Sequence, residues 1–224
     1  MDTEKTETYQ NKPKKKLRGF GGEIKEKKAG SFGDVACTSF FPAKPLGCYG
    51  DGGAIFTDDE NLAAKMKSIR VHGSGLDKYE NSRIGINGRL DSIQAEVLNI
   101  KLKYLDEYNS NRKIMANNYN LAFSDIDEII TPVVSESSDH VYHQYTLRLS
   151  NEKRDNFKNY LNNLGIPTMI YYPIPIHKQK PYANNQILEN TEKLSHEVVS
   201  LPIHTELETS NQEYIIENVI KYFK

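Results

Sequence analysis

Up to about residue 18 the chain is polar, charged and without periodicity, and the hydrophobic pattern begins after it. From Ser31 the signals change: "DVACTSFFP" and "GGAIFTD" are short apolar runs rich in β-formers and bounded by glycine, proline and aspartate. Each predicts a buried strand, with "YGDGG" as a tight turn between them. Asp58 or Asp59 can cap a helix over "ENLAAKMKSIR", where Leu62, Met66 and Ile69 share one face. "VHGSGLDKYENSRIGINGR" then lacks periodicity, is rich in glycine and asparagine, and is long enough for a functional loop.

Asp91, with Gln94 three residues on, resembles a capping box opening a long helix, with Ile93, Val97, Ile100, Tyr104 and Tyr108 along one stripe. This helix is expected to run toward or past Asn111 and to bridge two lobes. In "HQYTLRLS", Tyr145, Leu147 and Leu149 alternate with polar neighbours, as in a half-buried strand. Ser150 can cap the next helix, whose apolar face is Phe157, Tyr160, Leu161 and Leu164 and which Gly165 stops. "IPTMIYYP" reads as a returning strand, giving the order β-α-β. "TEKLSHEVVSL" predicts a short helix, and Ser210 with Glu213 boxes the start of a last one with Ile216, Val219, Ile220 and Phe223 inward. The organisation expected is a disordered charged tail over 1–18, a first domain with the linking helix over 19–110, and a small α/β domain over 111–224.

Composition narrows the partners. A formal net charge of -1 and a pI near 6.6 argue against a general nucleic-acid binder, which carries a basic surplus, and favour a small-molecule or protein partner. The run Lys14-Lys15-Lys16 reads as a solvated patch. Cys37 and Cys48 build no disulfide framework and sit in no metal spacing, which fits a reducing, cytoplasmic setting. No apolar stretch approaches the ~20 residues of a membrane span, so no membrane partner is expected.

The candidate chemistry centres on Lys44, set in "TSFFPAKPLGCYGDGGAIFTDD" between proline, glycine and an apolar stretch, away from other charges. A lysine held against apolar surroundings loses ammonium stability, and the free amine attacks carbonyl carbon. A lysine whose stem packs on the surface while its head reaches water has the same spacing, and spacing alone does not choose between the two.

Several stretches together, "KKAGSFGDVACTSFFPAKPLGCYGDGGAIFTDDENLA", "IRVHGS", "GINGRLDSIQAEVL", "HVYHQYTLRL" and "LGIPTMIYYPIPIHKQKPY", resemble in order the DegT/DnrJ/EryC1/StrS family of pyridoxal-phosphate-dependent sugar aminotransferases. The similarity runs from about Gly19 to the C-terminus and is closest to the branch that aminates 3-keto nucleotide sugars for surface polysaccharide. It implies an α/β fold, the C-terminal part of a fold-type I transferase, with a partial large-domain sheet and a small C-terminal α/β domain, working as a homodimer. The cofactor implied is pyridoxal 5'-phosphate; the substrates implied are a 3-keto or 4-keto nucleotide sugar and an amino-acid donor, commonly glutamate.

Residue by residue, Lys44 matches the family's Schiff-base lysine, which also moves the proton, and Ser39 the hydroxyl that grips the cofactor phosphate. Asn87 matches an asparagine offered across the dimer interface to the neighbour's phosphate, although an asparagine between glycines is otherwise a turn residue. His72 and Arg89 match positions near the active-site mouth, and His177 matches the loop that meets the sugar nucleotide. Asp51-Gly52-Gly53 belongs to the pattern for steric reasons, and Tyr171, Tyr172 and Tyr182 read as packing and loop anchors.

The resemblance departs upstream. Lys15 falls where the family has the aspartate that keeps the pyridinium nitrogen protonated, and Arg18 where it has a glutamine; a cation there has the wrong sign. The family's phosphate-binding turn, ring-stacking aromatic and several sheet strands have no counterpart. The expectation is therefore an N-terminally truncated chain with open sheet edges and an unburied helix face, inactive alone. A sugar dehydratase of the same family would carry histidine in place of Lys44. The alternative of another class is a catalytically dead relic, or an interaction subunit that pairs with a full-length homologue.

Overall fold

The computed structural model describes residues 22–77, 79–149 and 153–224. The tail over 1–18, with Lys15 and Arg18, and the expected cap Ser150 lie outside the described residues. Two compact units divide the chain: one runs through Glu107 and takes back Ser135–His140, and the other comprises Tyr108–Val134 and Val141–Lys224.

The first unit opens with β1 (Glu23–Ile24) and β2 (Lys27–Lys28), joined by Lys25 and Glu26, both at positive φ as a two-residue hairpin requires. A strand from much later in the chain, Ser138–Asp139, pairs antiparallel with β1 on its other side. β3 (Ala36–Ser39) and β4 (Gly53–Phe56) form a separate antiparallel pair, in register from Ala36 opposite Phe56 to Ser39 opposite Gly53. The two runs are strands, as their composition predicts, but Ile55 is more than half exposed, so the expected burial is not reached. The turn between them is no short hairpin; the whole segment 40–52 connects them.

α1 (Glu60–Arg70) is capped by Asp59, whose carboxylate accepts from the Asn61 and Leu62 amides, and Leu62, Met66 and Ile69 are partly covered. The long bridging helix is two helices, α2 (Ser92–Leu102) and α3 (Leu105–Phe123), separated by a tight i to i−3 turn at Lys103 and Tyr104. The boundary between the units falls within α3. Asp91 caps α2 through the Ile93 amide, but Gln94 does not complete the box; its Oε1 accepts from the Tyr49 amide instead, at 2.7 Å. The expected inward stripe is also one step out of phase. Ile93, Ile100 and Tyr104 are about half exposed or more, whereas Leu98 and Leu105 are buried and Gln94 and Lys101 partly so. A residue step of 94, 98, 101, 105 is as helical as the apolar stripe, and it is the one that faces the small core of Phe40, Leu46, Cys48, Leu98 and Leu105.

In the second unit a three-stranded antiparallel sheet has the order β5 (Ile129–Ile130), β7 (Tyr145–Leu149), β8 (Val198–Leu201), where β6 denotes Ser138–Asp139. β7 keeps the predicted alternation, with Tyr145, Leu147 and Leu149 buried. α4 (Arg154–Asn163) buries Phe157 and Leu161 and ends before Gly165 at φ +76. The expected strand at "IPTMIYYP" is reduced to a single antiparallel bridge between Met169 and Ser200, so among the described residues it does not complete the expected β-α-β order. The place beside β7 is taken by β8, so "TEKLSHEVVSL" is split: α5 (Glu189–Glu197) stops where the valines begin. α6 (Thr209–Phe223) starts after Glu208 without the predicted side-chain box and buries Ile215 and Val219.

These elements enclose one large core around Tyr119, Phe123, Tyr145, Leu147, Phe157, Leu161, Val199 and Val219. Tyr119 and Tyr145 have ring centroids 4.9 Å apart, and each hydroxyl finds an acceptor, Pro202 O at 2.9 Å and Asn120 Oδ1 at 2.7 Å. Burial pushes both phenols up from their ordinary pKa. Among the described residues no helix is long and apolar enough to cross a membrane.

Candidate functional site

Ser39 ends β3, and from there the chain makes a glycine-packed loop back to β4. Phe40 donates its amide to Gly52 O and accepts from the Cys48 amide, each at 2.8 Å, so the loop base is stitched twice. Within it, Phe41-Pro42-Ala43-Lys44 is a β-turn, with Pro42 in the second position that its fixed φ favours and the Lys44 amide donating to Phe41 O at 2.8 Å. Gly47 closes onto that turn: a Cβ there would stand 2.5 Å from Pro42 O and 2.9 Å from Phe41 O. A Cβ on Gly52 would stand 2.9 Å from Cys48 Sγ and 3.3 Å from Phe40 Cβ, in keeping with a steric role for Asp51-Gly52-Gly53.

Phe40, Leu46 and Cys48 point into the small core, and Lys44 stands half-buried between those anchors. Burial pushes the Cys48 thiol up, with the Lys101 ammonium opposing it as the smaller influence. The Ser39 hydroxyl accepts from the Phe41 amide at 3.1 Å, a bond that uses an oxygen lone pair and leaves the hydroxyl proton for donation outward. Ser39 at the end of β3 and Lys44 in the loop that follows are therefore held five residues apart in one fixed segment.

A second cluster lies at the end of α1. The Gly73 amide closes the helix onto Ser68 O at 2.8 Å, and His72 adopts φ +58 just before it. The segment 83–89 is clasped here: Val71 bridges Asn87, the His72 amide donates to Ile86 O at 2.9 Å, and the Gly88 amide donates to Arg70 O at 2.8 Å. Gly73 and Gly85 face each other so closely that a Cβ on Gly85 would stand 2.0 Å from Gly73 N. Asn87 Oδ1 accepts from Arg89 Nε at 3.2 Å. His72, Asn87 and Arg89 thus form one exposed polar cluster.

His177 belongs to the other unit and is buried, with Nε2 3.0 Å from Glu192 Oε1. The same oxygen accepts from the Leu188 amide at 3.2 Å and lies 3.4 Å from Lys178 Nζ. The His177 hydrogen bond, then that of Leu188, holds the Glu192 carboxyl down at about 2. Three sequence-predicted residues come together at the α1 end, two stand at the end of β3 and on the loop that follows it, and His177 belongs to the other unit.

Sequence reasoning missed three polar partners: Gln94 and Lys101 on α2, and Glu192 opposite His177. A signal existed for the first two, because 94, 98, 101 and 105 repeat at helical spacing and place two polar residues among leucines.

A sequence profile of the DegT/DnrJ/EryC1/StrS aminotransferase family matches residues 18–220. The UDP-2-acetamido-2-deoxy-3-oxo-D-glucuronate aminotransferase of Pseudomonas aeruginosa is 41% identical over 199 residues, 88% of this chain and 54% of that protein. A crystal structure of a DegT DnrJ EryC1 StrS aminotransferase from Brucella abortus superposes with a TM-score of 0.85 at 40% identity, over 92% of this chain and 55% of that one. NtdA from Bacillus subtilis, solved with bound cofactor PMP, superposes with a TM-score of 0.76 at 30% identity, over 86% of this chain and 46% of that one. The chain spans about half the length of the curated relatives it matches.

Proposed function

Because the chain belongs to the DegT/DnrJ/EryC1/StrS aminotransferase family, we propose that it serves a pyridoxal 5'-phosphate-dependent transamination of a keto sugar carried on a nucleotide, in the cytoplasm. Its fold is the C-terminal part of a fold-type I transferase. Glutamate is the proposed amino donor, and amino-sugar or surface-polysaccharide synthesis the proposed setting. When bound, the cofactor supplies an aldehyde for condensation with amines and a ring that takes up an electron pair from a substrate carbon.

The residues that would hold it are at the end of β3 and on the loop that follows. The observation that carries this reading is the loop itself, which fixes a half-buried lysine and a serine hydroxyl with its proton available. Lys44 acts as the nucleophilic amine and as carrier of a proton between carbon centres. Ser39 donates to a phosphate oxygen, and Asn87 offers its amide protons across a homodimer interface to a phosphate on the neighbour. His72, Arg89 and His177 are proposed to serve the sugar nucleotide, His177 through the loop it anchors rather than by its ring, which Glu192 engages.

Inactivity of the chain alone follows from the same reading, since Lys15 carries a cation where the family has its ring-protonating aspartate. A second reading, a subunit that pairs with a full-length homologue, is favoured by the apolar side chains of Ile93 and Ile100 lying exposed on α2. The test is reduction of the full chain with borohydride in the presence of pyridoxal phosphate, followed by peptide mapping, with Lys44→Ala as control. Transamination is then measured for the chain alone and mixed with a full-length family member. A label concentrated on Lys44 is expected; a label spread evenly over the lysines overturns the assignment.

A further inference from the structure

α2 reaches the Lys44 loop at two points, two helical turns apart. At the first, Gln94 Oε1 accepts from the Tyr49 amide at 2.7 Å. At the second, Lys101 Nζ donates to Gly47 O at 2.8 Å and stands 4.6 Å from the centre of the Tyr49 ring. Between them Leu98 packs in the small core with Leu46 and Cys48. The helix turns polar side chains inward at these two positions while leaving Ile93 and Ile100 exposed. Burying Gln94 and Lys101 in preference to isoleucine is unfavourable unless they are paired, and the pairs they make are with the loop backbone.

The geometry is specific to the loop. Gly47 is the residue that closes onto Pro42 and Phe41, the turn from which Lys44 projects. A charge-assisted bond to Gly47 O therefore holds the outer arm of the loop against the turn, and the Gln94 bond holds the next amide but one. We propose that Gln94 and Lys101 are positioning residues for Lys44, clamping the 46–50 arm of its loop so that the amine is held in one place relative to Ser39. This rests on the reading of Lys44 as the residue that holds the cofactor. Neither residue touches the reacting atoms in this proposal; each acts through the loop.

The test compares Lys101→Met, Lys101→Arg and Gln94→Ala with the wild-type chain by two readouts. The first is amide hydrogen exchange across 44–50, with the β3–β4 ladder as internal reference. The second is the borohydride-trapped label on Lys44 with pyridoxal phosphate. K101M and Q94A are expected to exchange the Lys44, Cys48 and Tyr49 amides about tenfold faster, with the ladder unchanged, and to cut the label at Lys44 several-fold. K101R, whose guanidinium can still donate to Gly47 O and lie on the Tyr49 ring, is expected to restore both.

Unchanged exchange in K101M and Q94A overturns the clamp. Faster exchange with wild-type labelling overturns the positioning role, because the loop would then loosen without consequence for the amine. If the wild-type chain itself takes no preferential label at Lys44, the functional reading fails and the positioning role with it, and the exchange data separate that outcome from a failed clamp. Q94A, which alters a neutral and only partly buried side chain, decides the matter should K101M not fold.

Discussion

Arg112 on α3 is buried, and its Nη1 faces three backbone carbonyls: Ile203 O at 2.9 Å, Tyr142 O at 3.2 Å and His143 O at 3.4 Å. It ties the helix to the segments leading into β7 and out of β8. Arg112→Met keeps an unbranched, flexible stem, though a shorter one, and removes the donors. Nη1 carries two protons, so about two carbonyls are fully served, and leaving a buried acceptor unsatisfied costs roughly 1–3 kcal/mol each, or about 2–6 kcal/mol together. Against this stands the relief of not burying a cation, a real cost because burial alone lowers the Arg112 pKa. The carbonyl loss is the larger, and R112M should destabilise the second unit by about 2–4 kcal/mol, lowering its Tm by roughly 10 °C or more. Urea titration followed by far-UV circular dichroism and tyrosine fluorescence reads this, since the chain has no tryptophan and Tyr119 and Tyr145 report from the same core. An R112M variant as stable as the wild type, or more so, would show that desolvation outweighs the carbonyl pairing and refute the reasoning.

Gly85→Ala would set a Cβ 2.0 Å from Gly73 N and 2.4 Å from the His72 carbonyl carbon, so the segment 83–89 must leave the end of α1. Limited proteolysis should then cut near Asn87, where the wild type resists; equal resistance would contradict the clasp. Glu192 has a folded pKa of about 2, below its ordinary 4.5, so its carboxylate stabilises fully above 4.5 and that contribution is lost as pH falls through about 2. The wild type should therefore exceed Glu192→Gln in urea midpoint at pH 6, with the gap closing from about pH 4.5 downward; a gap independent of pH would argue that shape, not charge, is what Glu192 contributes.

Where local signals decide the outcome, the sequence was legible. Alternation in "YTLRL", the Asp59 cap and the glycine after α4 each depend on neighbours within a few residues, and each stands as expected. The strands flanking Lys44 fall within the runs that aspartate, proline and glycine bound, although β3 stops at Ser39, three residues short of Pro42. Failures occurred where two segments competed for one partner. "IPTMIYYP" and "EVVSL" both suit a strand, and only the packed structure decides that Val198–Leu201 lies beside β7. Likewise Gln94 could bond its own helix end or a distant amide; it takes Tyr49, 45 residues away, and this turns the helix by one position and brings Lys101 inward with it. Periodicity of apolar residues cannot register a face chosen by polar anchors.

The strand Ser138–Asp139 lies beside Glu23–Ile24, and its unit resumes only after Tyr108–Val134 has been spent on the other. The polypeptide thus passes between its two units three times. No single cut can excise either as one continuous piece, and a gene exchange that swapped everything after α2 for a foreign sequence would also have to reinstate a stitch belonging to what came before.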